Sequence, residues 1–457
     1  MKNLNRRTFL KHSSLGLLGV SLMGCASKQQ QSPNFVIIFI DDMGYGDTSR
    51  TGHPTISTPN LDRLADQGVT MTQFYSVAAV CSPSRAALLT GRYQIRNGVT
   101  KVLFPYHDVG LPKTEKTLAS LLKQKSYATA CIGKWHLGHH PEFLPTSHGF
   151  DYYYGIPYSN DMDVKEWGGI PTPLMRNETI IEQPCDQTTI TKRYTQESKK
   201  FIQEHKDKPF FLYLAHTMPH FPLFRSEKFV DISRRGLYGD VISELDWSVG
   251  QIMDCLKQQG LEKNTLLIFT SDNGPWTMKG VQGGSSGLLR GGKASTFEGG
   301  VREPFIARFP GKLPAGSINM EVATTMDLFT TCLTLAGVPV PDDRPIDGND
   351  LMPVWRNEQS SKSDPVYFYW DDKLAAMRSG KYKLHFRKHI GNWVWVDCDP
   401  LELYDLEIDP SEKYEISAQF PEIVSRLTEQ AEKFKKEIAE RGENKELIEK
   451  LENWQQS

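Results

Sequence analysis

The sequence has 457 residues, of which 39% are hydrophobic and 24% charged, and its formal net charge is −2. This balance is typical of a globular chain with a large core, and it excludes an intrinsically disordered protein. A net charge near zero disfavours nucleic acid as a partner, because polyanion binding needs a broad basic surface. The seven cysteines are far apart and form no CxxC pair, which argues against a zinc site and against a dense disulfide framework.

The first 24 residues predict an export signal. Arg6 and Arg7 open a basic stretch typical of twin-arginine signals, and the apolar run that follows is too short to span a bilayer. Leu22-Met23-Gly24-Cys25 is similar to a bacterial lipobox, with residues 25–32 as a polar tether. We expect an exported bacterial lipoprotein on the periplasmic side of the outer membrane, which reaches the membrane only through its lipid. A plain secretory signal is the alternative.

Strands and helices alternate over residues 33–360. Continuous apolar runs predict buried strands at Asn34–Ile40, Tyr127–Ile132, Pro209–Ala215 and Thr265–Thr270. A helix is expected to begin at Thr58-Pro59, and apolar residues at helical spacing predict another over Tyr238–Gly260. This alternation predicts an α/β domain in which helices sandwich a large, mostly parallel sheet.

The pattern changes from about residue 361. Short strands are predicted at Val366–Trp370, Ala375–Arg378, Tyr382–Arg387 and Glu402–Asp405. A charged helix is predicted from Pro421 onward. We therefore expect a smaller α+β domain over residues 361–457, which contains an antiparallel sheet.

Polar residues follow four of the predicted strands. They are Asp41-Asp42, Lys134 with His136, His216 with His220, and Asp272-Asn273. In an open α/β sheet ligands bind at the carboxyl ends of the strands, so these side chains are expected to meet at one edge. An aspartate after a strand is also a common turn or cap residue, which is the alternative for each one alone.

The oxygen donors among these residues predict a cation site. Asp41, Asp42, Asp272 and Asn273 offer carboxylate and amide oxygens, which suit a hard divalent cation rather than zinc. A site made largely of protein oxygens favours one Ca²⁺ ion over Mg²⁺.

Cys81-Ser82-Pro83-Ser84-Arg85 lies at the start of a predicted helix, with Pro83 in its first position. Helix N-termini favour anions, because their amides are unpaired and the helix dipole is positive there. For a lone cysteine, a small buried thiol is the ordinary interpretation. A nucleophilic thiolate beside a histidine is another.

The segment Cys81–Arg85, followed by Leu89-Thr90-Gly91-Arg92, resembles the signature of type I sulfatases, in which the cysteine of C-x-P-x-R is oxidised to formylglycine. Other segments are similar to motifs of that family and occur in the family's order. They are Ile40–Gly44, Thr58–Asp62, Gly133–Gly138, Ser271–Gly274, Gly292-Lys293, Glu298–Pro304 and Leu403–Leu406 with Asp409-Pro410. The resemblance covers roughly residues 33–415 and implies the arylsulfatase A-like branch of the alkaline phosphatase superfamily.

The resemblance implies a mechanism. Formylglycine hydrate at position 81, held on calcium, attacks sulfur and expels the alcohol, and its second hydroxyl then allows sulfate to leave. The implied metal ligands are Asp41, Asp42, Asp272, Asn273 and the residue at position 81. The implied partners are a sulfated carbohydrate, from glycosaminoglycan or algal glycan, and a formylglycine-generating or anaerobic sulfatase-maturing enzyme.

The resemblance also implies a role for each remaining site residue. Lys134 and Lys293 neutralise charge on the sulfuryl oxygens, and Arg85 orients residue 81. His136 assists the second hydroxyl, and His220 protonates the leaving oxygen as the general acid. Ser159 is expected to contact sulfate, and His216 is expected either to bind substrate or to be structural.

Several further residues and two other functions stay open. His139 and His140 are interpreted as loop or specificity residues, and His53 as a loop residue that borders the pocket at best. Trp167, Trp276 and Trp370 either stack on a sugar or pack within the fold. The alternative functions are a phosphate mono- or diester hydrolase on the same scaffold, and a catalytically inactive protein that binds sulfated glycans.

Overall fold

A computed structural model describes residues 32–164, 169–442 and 444–453. The predicted export signal, the lipobox cysteine Cys25 and Trp167 lie outside the described residues. Within the described ranges, none of the helices is both long and apolar enough to cross a membrane.

The strands alternate with helices along most of the chain. The strands are β1 (Asn34–Ile40), β2 (Val69–Tyr75), β3 (Ala128–Gly133), β4 (Tyr152–Gly155), β5 (Leu174–Arg176), β6 (Thr179–Glu182), β7 (Phe210–Ala215), β8 (Thr265–Ser271), β9 (Arg302–Arg308), β10 (Ser317–Thr324), β11 (Val366–Trp370), β12 (Lys373–Ser379), β13 (Tyr382–His389) and β14 (Trp395–Asp405). The α-helices are α1 (Pro59–Asp66), α2 (Cys81–Thr90), α3 (Gln94–Asn97), α4 (Leu118–Lys123), α5 (Ile190–Glu204), α6 (Leu237–Gln258), α7 (Glu298–Val301), α8 (Asp327–Ala336), α9 (Met352–Trp355), α10 (Pro421–Arg441) and α11 (Lys445–Asn453). Short 3₁₀ helices occupy Pro141–Phe143, Pro145–His148, Gln187–Thr189, Glu227–Phe229, Glu262–Asn264, Thr277–Gln282 and Ser417–Gln419.

The first ten strands form one sheet in the order β10-β2-β9-β8-β1-β7-β3-β4-β5-β6. Its centre, from β8 across to β4, is parallel. Antiparallel pairs flank this centre, where β9 pairs with β8 and β2, and where β5 pairs with β4 and β6. The predicted α/β sheet is confirmed, and it is mixed because β9 and β5 pair antiparallel with their neighbours, whereas β10 at the edge pairs parallel with β2.

The apolar run of β1 supplies both faces of the sheet, because successive strand side chains point to opposite sides. Phe35, Ile37 and Phe39 pack into one hydrophobic cluster, with residues of α2, α4 and α8. Val36 and Ile38 pack into the other, with residues of α5 and α6. The sheet is therefore covered by helices on both faces, as the sequence predicts.

The second sheet has the antiparallel order β11-β12-β13-β14. A third hydrophobic cluster lies beneath it and joins Phe368 and Leu384 of this sheet to Leu427 of α10 and Tyr75 of β2. The cluster therefore contains residues from both sides of residue 360. The antiparallel sheet is confirmed, and the domain boundary at 360/361 stays a prediction.

Two predicted helix starts differ in detail from the structure. Thr58 precedes α1 at the N-cap position, with Pro59 first in the helix, but its hydroxyl bonds Ser49 instead of the helix amides. α2 begins at Cys81, two residues before Pro83, so position 81 is the first residue of the helix.

Candidate active site

Four parallel strands end level with one another at one edge of the large sheet. Ile40 of β1 pairs with Ser271 of β8, and Phe39 of β1 pairs with Ala215 of β7. Gly133 of β3 also pairs with Ala215. The residue after each strand therefore enters the same region, as the sequence predicts.

Gly133 permits the close approach that this edge requires. Its φ is 120°, a conformation that residues with side chains rarely adopt. A Cβ atom added there would lie 1.7 Å from the carbonyl oxygen of Ala215. The glycine thus lets β3 end tightly against β7, and it positions Lys134 directly afterwards.

A fully buried ion network occupies the strand ends. The Asp41 carboxylate accepts a hydrogen bond from Lys134 Nζ at 2.6 Å and lies 3.5 Å from Arg85 Nη2. The Asp272 carboxylate accepts hydrogen bonds from Arg85 Nε at 3.1 Å and from Arg85 Nη2 at 2.7 Å. All four side chains are 0% exposed, so removing one partner would leave an uncompensated buried charge.

Asp42 joins this network to the loop that follows β8. Its carboxylate accepts hydrogen bonds from Asn273 Nδ2 at 2.7 Å and from Lys293 Nζ at 2.8 Å. Its backbone N–H donates to Asp272 Oδ1 at 3.1 Å. Asp42 has a φ of 66°, in the left-handed region that residues other than glycine seldom occupy.

The three carboxylates have different pKa shifts. Burial raises the pKa of Asp41, but Lys134 and Arg85 outweigh burial and leave that pKa lowered. Burial raises the pKa of Asp42 despite the opposing effect of Lys293. Burial and the nearby Asp41 raise the pKa of Asp272 to about 7, against the opposing effect of Arg85. The site thus concentrates more negative charge than its own cations fully stabilise.

Cys81 lies on the wall of a cavity of about 730 Å³ and is 2% exposed. The same cavity is lined by His136, Ser159, His220 and Lys293. Burial raises the pKa of the Cys81 thiol to about 11, although the lysines oppose this. The thiol is therefore protonated at neutral pH, which argues against the thiolate nucleophile that the sequence left open.

His220 is held by its Nδ1 atom. That atom lies 2.9 Å from Asn160 Oδ1 and 2.6 Å from the carbonyl oxygen of Phe221. Both neighbours are acceptors, so Nδ1 carries the hydrogen in the neutral ring. Nε2 then lies 3.5 Å from Ser159 Oγ and 3.6 Å from Asp42 Oδ2. Burial, together with the nearby lysines, lowers the pKa of His220.

His136 is oriented through Nε2, whereas His220 is held through Nδ1. Nε2 lies 2.9 Å from the carbonyl oxygen of Leu103, whereas the buried Nδ1 has no hydrogen-bond partner among the described residues. Burial and the neighbouring Lys134 and Arg85 lower the pKa of His136. A neutral His136 thus presents an unprotonated Nδ1.

His216 directly follows β7, at the same edge of the sheet as the other site residues, but it does not line the cavity. Its Nε2 lies 3.1 Å from Ser248 Oγ on α6, and its ring centroid lies 6.2 Å from that of Tyr194 on α5. Burial lowers the pKa of His216 to about 3. These contacts favour the structural role that the sequence left open over substrate binding.

The other predicted histidines are also outside the residues that line the cavity. His53 Nδ1 accepts hydrogen bonds from the backbone N–H groups of Thr55 and Ile56, which makes it a turn residue. The rings of His139 and His140 lie 4.3 Å apart, centroid to centroid, in the loop after β3.

The strand ends fit a hard divalent cation. Two buried acceptor atoms, Asp41 Oδ1 and Asn273 Oδ1, have no hydrogen-bond partner within the described part of the chain. One potential ligand atom each from Asp41, Asp42 and His220 lie within 4.8 Å of one another. Carboxylate and amide oxygens dominate this donor set, which suits Ca²⁺.

The outer part of the cavity contains residues that the sequence analysis did not single out. They are Lys101, Tyr106, His107, Asp161, Asp371, Trp393 and Leu451. Trp276 and Trp370 also line it, as the sequence allowed. Asp161 could have been predicted, because it lies two residues after the candidate Ser159. No nearby motif in the sequence points to Trp393.

Comparisons with known proteins agree with this geometry. A family model described as "Sulfatase" matches residues 33–338, and one described as "N-sulphoglucosamine sulphohydrolase, C-terminal" matches residues 292–437. The chain is 41% identical to N-acetylgalactosamine-6-sulfatase of Mus musculus over 84% of this chain and 75% of that protein. It is 40% identical to arylsulfatase A of Homo sapiens, over 86% of each chain.

Solved structures show the same fold. PsFucS1 sulfatase from Pseudoalteromonas sp. superposes with a TM-score of 0.83 and 29% identity, over 91% of this chain and 92% of that one. A 6S-sulfatase from a glycosaminoglycan-metabolising locus of Bacteroides thetaiotaomicron gives 0.79 and 30%, over 89% of this chain and 100% of that one.

Proposed function

This chain belongs to the sulfatase family of enzymes, and we propose that it hydrolyses sulfate esters of a carbohydrate through a formylglycine made from Cys81. The observation that carries the proposal is the position of Cys81, on the wall of a cavity that also contains Lys293 and His220. A sulfate ester is an anion, and buried cations beside the reacting residue are what its transition state requires.

Conversion of Cys81 explains why a buried cysteine occupies this wall. A thiol with a pKa of about 11 is a poor nucleophile at neutral pH. Formylglycine hydrate would supply one hydroxyl for attack on sulfur and a second hydroxyl through which sulfate can leave. The proposal includes a maturing enzyme as a partner, either formylglycine-generating or anaerobic.

We assign the metal site to one Ca²⁺ ion with Asp41, Asp42, Asp272, Asn273 and residue 81 as ligands. Asp41 Oδ1 and Asn273 Oδ1, which lack a hydrogen-bond donor among the described residues, support this assignment. When bound, the ion would supply positive charge beside the sulfate ester and residue 81.

Two lysines bind the sulfuryl oxygens in this proposal. Lys134 Nζ donates to Ser159 Oγ at 3.0 Å, so lysine and serine donors lie together for the same anion. Lys293 Nζ lies 4.5 Å from the centroid of the Trp276 ring, on the cavity wall. Arg85 Nη1 donates to the carbonyl oxygen of Lys134 at 2.9 Å, so Arg85 holds the helix of residue 81 against β3.

The two histidines move the protons. His220 Nε2 protonates the oxygen of the leaving sugar, and its Nδ1 bonds keep the ring in place. Binding of the anionic ester favours the protonated form of His220, because a nearby negative charge raises a histidine pKa. His136 Nδ1 has no other partner in the described structure and accepts the proton of the second hydroxyl.

The relatives indicate the class of carbohydrate. The mouse relative is an N-acetylgalactosamine-6-sulfatase, and the Bacteroides structure comes from a locus for glycosaminoglycan metabolism. Another structure, Ps i-CgsB, which is 31% identical, is bound to a neocarrahexaose. We propose a sulfated sugar from glycosaminoglycan as the substrate, with algal glycan as the other source.

We also propose that the enzyme works as an exported lipoprotein on the periplasmic side of the outer membrane, anchored through Cys25. This proposal is supported by the sequence of residues 6–25. Mass spectrometry of the mature N-terminus is expected to find an acylated cysteine, and an unmodified N-terminus downstream of Cys25 would contradict it.

The test is turnover by protein produced in a host that has a maturing enzyme. N-acetylgalactosamine 6-sulfate and 4-nitrophenyl sulfate are expected to release sulfate, and 4-nitrophenyl phosphate to react at least about 100-fold more slowly. Chelation is expected to abolish this activity and Ca²⁺ to restore it. Preferential phosphate release would indicate a phosphoesterase, and binding of sulfated sugar without release an inactive binding protein.

A further inference from the structure

The cavity lining changes character beyond Lys293. Its lining there includes the carboxylate of Asp161 and the rings of Trp276, Trp370 and Trp393. The ring centroid of Trp393 lies 6.1 Å from that of Trp276 and 6.0 Å from that of Trp370. These indoles form a continuous aromatic wall, and such surfaces pack well against the apolar C–H groups of a sugar ring.

Asp161 is a largely buried carboxylate in the cavity lining, and one of its two oxygens lacks a donor within the described part of the chain. The residue is 7% exposed, and its Oδ1 has no hydrogen-bond partner among the described residues. Buried polar atoms in native proteins are almost always hydrogen-bonded, because an unmet bond costs free energy. Because Asp161 lines the cavity, a group bound there is the available donor for its carboxylate.

The two buried lysines of the sulfate site have closer counterions than Asp161. Lys134 lies 2.6 Å from Asp41, and Lys293 lies 2.8 Å from Asp42. Asp161 is thus not the main counterion of either lysine. A carboxylate accepts hydrogen bonds and repels anions, so a hydroxyl group is a suitable partner and a second sulfate or a uronate is not.

The loop that carries Asp161 is fixed relative to the sulfate site. Ser159, two residues earlier, accepts a hydrogen bond from Lys134, and its carbonyl oxygen accepts one from the Met162 N–H at 3.3 Å. Asn160 Nδ2 donates to the carbonyl oxygen of Pro222 at 3.0 Å. Asp161 therefore holds a constant position beside the group that binds the ester.

We propose that Asp161 is a specificity residue that accepts a hydrogen bond from a hydroxyl of the sulfated sugar, so that the cavity selects a ring with no second anionic group beside the ester. This inference rests on the proposed function and narrows its substrate to monosulfated, otherwise uncharged sugars. The aromatic wall contacts the same ring.

The test compares two substrates in matched variants. The ratio of kcat/KM for N-acetylgalactosamine 6-sulfate to kcat/KM for 4-nitrophenyl sulfate, which lacks sugar hydroxyls, is measured for Asp161→Asn and Asp161→Ala. Loss of a hydrogen bond to a charged acceptor is expected to lower this ratio about 10- to 100-fold. The control is Asp163→Asn, an exposed aspartate on the same loop, which is expected to keep the ratio within about threefold.

A second substrate pair tests charge selection directly. Wild-type protein is expected to prefer N-acetylgalactosamine 6-sulfate over the 4,6-disulfate, and Asp161→Asn is expected to narrow that preference. The isosteric asparagine keeps the test usable if the alanine variant fails to fold, and thermal unfolding of each variant checks this.

The outcomes separate this inference from the proposed function. Unchanged ratios in both Asp161 variants would overturn the inference and leave the sulfatase proposal standing. Wild-type turnover of the aryl sulfate with none of the sulfated sugar would overturn the inference together with the carbohydrate part of the proposed function, and would leave sulfatase activity itself standing. Turnover of neither substrate by matured wild-type protein would overturn the proposed function and the inference together.

Discussion

The two ends of the cavity are built from different parts of the molecule. At the sulfate end, where Cys81 and Lys293 line the cavity, the supporting ion network of Asp41, Lys134 and Asp272 directly follows buried parallel strands and is 0% exposed. At the sugar end, Asp161 and Trp393 come from loops, and Trp393 is 43% exposed. We therefore propose that the framework of the sheet fixes the chemistry, whereas the loops at the cavity determine which sugar is accepted.

The largest expected effect is at the sulfate end, in Cys81→Ser. A serine that is not oxidised to the aldehyde has a single hydroxyl, so its sulfated form has no second hydroxyl through which to release sulfate. We expect multiple-turnover activity to fall at least about 1,000-fold, measured as sulfate release. Cys255→Ser, at another buried cysteine on α6, is the control and is expected to stay within about threefold. Comparable activity in the two variants would contradict a covalent role for residue 81.

Charge removal at the same end comes next. Lys134→Met and Lys293→Met retain an apolar stem and remove the cation, and each is expected to lower kcat/KM about 100- to 1,000-fold. Lys279→Met is the matched control for Lys293, because Nζ of each lysine lies over the Trp276 ring, at 4.2 Å and 4.5 Å from its centroid, but only Lys293 lines the cavity. If Lys279→Met were as damaging as the other two, the lysines would be acting through general charge and not through contact with sulfate.

A smaller and different effect is expected at the sugar end. Trp393→Ala removes an exposed ring from the aromatic wall and is expected to raise KM for the sulfated sugar about 3- to 10-fold. Its kcat should change less than its KM, because the ring is assigned to contact with the sugar and not with the reacting atoms. The neighbouring Val394→Ala, outside the cavity lining, serves as the control. A fall in kcat with unchanged KM would remove the distinction between the two ends.

The sequence predicted the strands and the residues that follow them better than the loops at the sugar end. The strand β1 and the helix α6 were predicted almost to their ends, because continuous apolar runs and helical spacing are local signals. The residues after the strands could be grouped because parallel strands end at a common edge. The outer strands were missed: β2 alternates polar with apolar residues, and β9 begins and ends with charged residues. Trp393 and Asp161 line the same cavity only because of the conformation of their loops, and the spacing of residues along the sequence does not predict loop conformation.

For His216, the position after a strand was predicted correctly, but the sequence could not decide between substrate binding and a structural role. It follows β7 as His220 does, yet its ring faces Ser248 and its folded pKa is about 3 instead of 6.5. Because the unfolded chain protonates this histidine below about pH 6.5 and the folded protein does not, its stabilising contribution is present above pH 6.5 and is lost as the pH falls.

The smallest prediction is therefore one of stability. Between about pH 7.5 and about pH 5.5, His216 is expected to account for a loss of about 1 kcal/mol in the free energy of unfolding, measured by urea denaturation. His216→Gln cannot titrate and can still bond Ser248, so the variant is expected to lose less stability over this range. An identical pH dependence in the variant would mean that His216 is not held neutral by burial.

The central claim is that turnover depends on an aldehyde at position 81, and one measurement tests it directly. The fraction of the peptide containing residue 81 that carries formylglycine is determined by mass spectrometry in preparations made with and without a maturing enzyme, alongside the rate of sulfate release. We predict that the rate is proportional to the aldehyde fraction and extrapolates to zero when every peptide carries a plain thiol. Full sulfate release from a preparation that contains only the Cys81 thiol would contradict the account.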